Sequence, residues 1–235
     1  MQTTKTSNDQ VALTDERIIQ PVSRRRFLGY VGATSAILAT GASCNKNNND
    51  DNNGVDLGSG DVGILNYAYA LEQLEAAFYT QVVATPFSGI TSAETGFLTD
   101  IRDHEIAHRE FFKAAITAAP ATAIPNLEVD FSSINFTSRA SVLGTAMAFE
   151  DLGVSAYDGA GYLLKSATYL LLAGKIVSVE ARHAALIREL VTANSFLGDQ
   201  VDASSVNISR TPPEVLAIAG TYIKTKINAS NLPTG

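Results

Sequence analysis

The chain has 235 residues, 46% of them hydrophobic, enough for one domain with a sizeable core plus a targeting segment. A net charge of −7 leaves no basic footprint for nucleic acid or an anionic surface, which argues against nucleic-acid binding. The single cysteine, Cys44, rules out an intramolecular disulfide, so core packing or bound metal must supply the stability.

The first segment, 1–44, contains Ser23-Arg24-Arg25-Arg26-Phe27-Leu28 and then an apolar run from Phe27 to Ala39. That run is shorter than the roughly 20 helical residues that span a bilayer and suits the apolar centre of a signal peptide. The arrangement resembles a twin-arginine export signal, which implies an exported protein of the periplasm or cell envelope. Gly41-Ala42-Ser43-Cys44 resembles a lipoprotein box, with Gly41 where an aliphatic residue is usual, so Cys44 is a candidate lipidation site and membrane anchor. Residues 45–60 are dominated by Asn, Asp and Gly, and read as a flexible polar linker.

From residue 61 the apolar period is helical. A helix over about 62–84 aligns Leu65, Ala68, Tyr69, Glu72, Ala76 and Tyr79, and Pro86 and Gly89 end it. A second over about 92–118 aligns Leu98, Ile101, Glu105, His108 and Phe112. Residues 119–137 carry Pro120 and Pro125 and no helical period, a gap far longer than the roughly 2–8 residues usual between antiparallel helices. A third helix over about 138–163, capped by Ser138, aligns Leu143, Met147, Glu150, Val154 and Tyr157. After a short link a fourth, about 167–193, aligns Ala173, Ile176, Glu180, His183 and Ile187. Short, long and short connections predict an all-α four-helix bundle over 61–194 with a crossover between helices 2 and 3. The extension at 195–235 reads as irregular, with a short helix after Pro212-Pro213.

Two of the three histidines stand in Glu-x-x-His: Glu105-Ile106-Ala107-His108 and Glu180-Ala181-Arg182-His183. A spacing of three brings both side chains to one helical face, where a carboxylate and an imidazole can converge on one ion. The two halves also repeat. Ala70-Leu71-Glu72-Gln73-Leu74 aligns with Ala148-Phe149-Glu150-Asp151-Leu152, and each glutamate has a tyrosine seven residues later, Tyr79 and Tyr157. The repeat selects Glu72 over Glu75, which aligns with Gly153, although Glu75 stays on a nearby face as an additional or alternative ligand. His104 is turned about 100° from the face of Glu105 and reads as a surface or supporting residue. The competing interpretation turns the glutamates to solvent or pairs them with Arg102, Arg109, Lys175 and Arg182. Four carboxylates on apolar stripes favour metal, because two divalent cations offset their charge.

One Glu from each of two helices, with Glu-x-x-His from each of the other two, resembles the ligand set of the ferritin-like di-iron and di-manganese carboxylate proteins. The exported form with its tail is similar to a bacterial ferritin-like family that includes plant desiccation-related proteins. The resemblance covers about 62–193 and implies Glu72, Glu105 and His108 on one side of a two-metal cluster and Glu150, Glu180 and His183 on the other. It also implies that Glu105 and Glu180 bridge, with Tyr79 and Tyr157 orienting ligands or serving as core tyrosines. Carboxylate and imidazole without thiolate suits two iron ions, with two manganese ions as the alternative. The implied function is an oxidoreductase using oxygen or peroxide. Its alternatives are a manganese catalase and a non-enzymatic, metal-stapled envelope or desiccation-stress protein. Further copies of the chain and a lipid membrane are its other expected partners.

Overall fold

The computed structural model describes residues 54–234; the arginine motif, the apolar run and Cys44 lie outside them. Four long helices make the body: α1 (Gly60–Ala84), α2 (Ser92–Ala118), α3 (Arg139–Gly161) and α4 (Ala167–Val191). The architecture is all-α, with α1 packed on α2 and α3 on α4. A short α5 (Pro212–Ala219) follows, and a two-residue strand at each end, β1 (Val55–Asp56) and β2 (Ile227–Asn228), pairs in parallel.

Local chemistry sets the helix ends. Thr91 caps α2 in a capping box, its hydroxyl accepting from the Glu94 N–H while the Glu94 carboxylate accepts from the Thr91 N–H. Ser138 and Ser166 cap α3 and α4. The Asp61 carboxylate accepts from the N–H groups of Lys165 and Ser166, tying the start of α1 to the short link between α3 and α4.

Helix α1 is buried around almost its whole circumference, from Ile64 to Val82, well beyond the single stripe read from the sequence and including Asn66, Glu72, Gln73 and Glu75. Part of its cover is the 119–138 crossover. Asn66 Oδ1 accepts from the Ile124 N–H at 3.0 Å and Gln73 Oε1 from the Leu127 N–H at 2.8 Å, while the Ser88 N–H donates to the Thr137 carbonyl. Successive crossover residues thus meet successive levels of α1, so the segment travels the length of the bundle. It needs its length for that reason.

The expected linker is corrected at its C-terminal end. Residues 54–60 are part of the fold rather than a tether: Val55 and Leu57 donate to the carbonyls of Lys226 and Asn228, and Leu57 is fully buried. Val55 and Leu57, two residues apart on the strand, both pack on the core beside the returning C-terminal segment. That segment also bridges to the crossover, through Val129 with Ile223.

Candidate metal centre

Each of the four long helices turns a glutamate inward. Glu72 on α1, Glu105 on α2, Glu150 on α3 and Glu180 on α4 are all completely buried, and His108 and His183 join them one turn after Glu105 and Glu180. The donor atoms form two overlapping groups, Glu72, Glu105, His108 and Glu180, and Glu105, Glu150, Glu180 and His183, each with its atoms within 4.8 Å of one another. Glu105 and Glu180 belong to both. These six are the residues singled out from the sequence, and the fold brings all six together.

The contacts are reciprocal. His108 Nδ1 lies 2.7 Å from Glu180 Oε1, and His183 Nδ1 lies 2.8 Å from Glu105 Oε1. Tyr79 on α1 donates to Glu150 Oε1 at 2.5 Å, and Tyr157 on α3 donates to Glu72 Oε1. Low-numbered residues of one helix meet high-numbered residues of the other in both sets, so α1 runs antiparallel to α3 and α2 to α4. A tyrosine seven residues after a glutamate stands two turns from it on the same helix, so it reaches the glutamate of the opposite half instead.

The hydrogen-bond inventory of this cluster fits a dinuclear site. Glu72 and Glu150 each have one oxygen held by a tyrosine; their other oxygens, both oxygens of Glu105 and of Glu180, and the Nδ1 of each histidine face only one another, as close as 2.7 Å but without hydrogen-bond geometry. Buried polar atoms are nearly always satisfied, so this concentration is what a site built for cations leaves behind. No Arg or Lys among the described residues pairs with the four glutamates. Arg102 and Arg109 pair with Asp103 and Glu110, and Arg182 turns to Ser178.

The electrostatics agree. Burial, then the charges of its neighbours led by Glu180, pushes Glu105 well above the usual carboxylate range, and burial also raises Glu150. For His183 burial disfavours the cation, yet Glu105, Glu150 and Glu180 outweigh it and push the ring up to about 12. His108 is raised in the same way by Glu105, Glu180 and Glu72. Protons on the imidazoles thus do part of the neutralising that metal ions can do.

A family model described as a ferritin-like domain matches residues 60–193, more than half of the chain. The chain belongs to the ferritin-like domain family. No curated protein matches it. Within this ferritin-like bundle, carboxylate oxygens and imidazole nitrogens are the donors, a set that can hold metal and contains no thiolate.

Two further residues of the ferritin-like domain lie against the cluster. Glu75 is buried one turn beyond Glu72 but belongs to neither donor group; burial and the four inward glutamates push its carboxyl well above the usual range. His104 is exposed, and its Nδ1 lies 2.9 Å from His183 Nε2. The helical wheel places His104 off the Glu105 face correctly, but the contact depends on where α4 presents His183, which no single-helix periodicity reports.

Proposed function

We propose that this protein holds two iron ions between its four central helices and acts as an oxidoreductase on oxygen or peroxide. The observation that carries the proposal is the set of buried donor atoms that converge on one another with no hydrogen-bond partner outside the cluster: one oxygen from each of Glu72 and Glu150, two from each of Glu105 and Glu180, and one nitrogen from each histidine. That division suits two terminal carboxylates, two bridging carboxylates and one imidazole per metal. Iron, when bound, supplies the electrons for reducing oxygen or peroxide.

The chain's own residues supply the setting. Tyr79 and Tyr157 each hold one oxygen of a terminal glutamate and so fix the direction of the other. Complete burial of the four glutamates keeps bulk water from competing for the metals. The twin-arginine-like segment and Cys44 add export to the cell envelope, with or without a lipid anchor, to the proposal.

Anaerobic titration with Fe(II), followed by oxygen or hydrogen peroxide, tests it. Uptake of two ions per chain and a ferric absorbance that develops faster than in free Fe(II) are expected; a chain that takes up no iron overturns the proposal. The same donors suit manganese, so metal analysis of protein from its native host, with a peroxide disproportionation assay, decides between the iron protein and a manganese catalase.

A further inference from the structure

The two halves of the centre are alike in their glutamates and tyrosines but not behind their histidines. His183 Nδ1 faces the carboxylates, and its Nε2 lies 2.9 Å from His104 Nδ1. The ring planes are within 11° and the centroids 5.1 Å apart. With so short an N···N separation, that places the rings end to end in nearly one plane, the alignment an N–H···N hydrogen bond requires. A metal on His183 Nδ1 leaves the proton on Nε2, and His104 Nδ1 is positioned to accept it. His104 is exposed, so its own Nε2–H has solvent available.

His108 has no protein partner of this kind. Its side chain is partly exposed, which leaves its Nε2 to solvent, and the repeat position of His104, 75 residues on, is Val179, which has no side-chain acceptor. A ligand imidazole whose second nitrogen is hydrogen-bonded is fixed in tautomer and direction and is the more basic donor.

We infer that His104 is a positioning residue that makes the two metal positions unequal, so that the one formed by Glu105, Glu150, Glu180 and His183 binds more tightly and fills first. This rests on the dinuclear reading above. It concerns the order and affinity of metal binding, and its readout is independent of turnover.

The experiment is an anaerobic Co(II) titration of the metal-free full chain, followed by visible absorption and circular dichroism. Two resolved binding steps are expected for the wild type. His104→Leu should weaken the first step by about 10–100-fold, the usual effect of removing a ligand's supporting partner, and leave the second step in place. His104→Asn, whose side-chain oxygen can take over from Nδ1, should restore much of the difference. Because His104 is on the surface, both variants are expected to keep the wild-type helical signal and melting temperature without metal, which separates positioning from folding. Two Co(II) ions bound with the same isotherm in wild type and His104→Leu would overturn the inference while leaving the dinuclear site standing. No Co(II) uptake by the wild type would overturn both.

Discussion

Glu75 lies against Gly153: a Cβ at position 153 would stand 3.1 Å from Glu75 Oε1. These are the two residues that the internal repeat aligns with each other, so the place where the halves differ in sequence is a place where they touch. The missing side chain on α3 makes room for the extra carboxyl on α1. Gly153→Ala should therefore gain less than the roughly 1 kcal/mol by which Ala is favoured over Gly in a helix, because Glu75 must give by a few tenths of an ångström. In a Glu75→Ala background the same change should show the full gain, with a coupling of roughly 0.5–3 kcal/mol across the double-mutant cycle. Urea melts of the four proteins measure it, and additive effects would show that the two side chains do not compete for space.

Much of the centre was legible because its chemistry repeats. Glu-x-x-His occurs twice, Glu72 and Glu150 each precede a tyrosine by seven residues, and burying a carboxylate on an apolar stripe demands compensation. What was hidden depends on how helices meet. The crosswise pairs Tyr79 with Glu150 and Tyr157 with Glu72 require the antiparallel placement of α1 and α3, and the bond from His183 to His104 spans 79 residues. Asn66 and Gln73 look like polar interruptions of α1, and only the path of the crossover explains them as anchors for its backbone. The pairing of Val55 with Ile227 left no trace, since a two-residue strand has no period to detect.

Metal uptake should release protons. Carboxylate neighbours overcome the cost of burial and keep His183 protonated up to about pH 12, with His108 raised by its own neighbours, whereas a metal requires each Nδ1 to be free. Both folded values lie above the unfolded value of about 6.5. The stabilisation these cations give the metal-free protein is therefore fully present below about pH 6.5 and is lost as pH rises toward the folded values. Metal affinity should run the opposite way and fall as pH falls, because protons and metal compete for the same nitrogens. Co(II) calorimetry in buffers of different ionisation enthalpy is expected to show release of at least about two protons per filled chain, one from each imidazole, with any further protons coming from the raised carboxyls of Glu105 and Glu150. Binding without proton release would show the imidazoles to be neutral beforehand.

Glu94 joins the start of α2 to two other helices. Its Oε2 accepts from the N–H and hydroxyl of Thr91, and its Oε1 accepts from Arg139 Nε at 2.7 Å; Arg139 Nη2 in turn donates to the Leu190 carbonyl near the end of α4. The Thr91 backbone bond, together with Arg139, holds the Glu94 carboxyl below its ordinary range despite burial. A depressed folded pKa gives stability that is present above the unfolded value of about 4.3 and is lost as pH falls through the folded one. Glu94→Gln should cost about 1 kcal/mol at pH 7, and the difference from wild type should shrink as pH drops below about 4. Thermal melts across that range provide the check; a gap independent of pH would assign the loss to packing.

The C-terminal extension is held to the bundle through a glycine. Gly159 lies inside α3, where a Cβ would come within 1.8 Å of the Arg210 carbonyl oxygen and 2.5 Å of its carbon, and the Arg210 N–H donates to the Ser155 carbonyl one turn earlier. Both obstructing atoms are backbone, so no side-chain rotation relieves the contact. Gly159→Ala should lift the segment leading into α5, whose Val215 and Ala219 are fully buried, and cost at least about 2 kcal/mol in spite of its better helix propensity. Gly144, on the same helix, has nothing within 4 Å of its would-be Cβ, so Gly144→Ala should instead gain roughly 0.5–1 kcal/mol. Limited proteolysis, compared with wild type, should show new cleavage between residues 194 and 211 in Gly159→Ala alone. Equal protease resistance in both variants would mean that the extension does not depend on this close approach to α3.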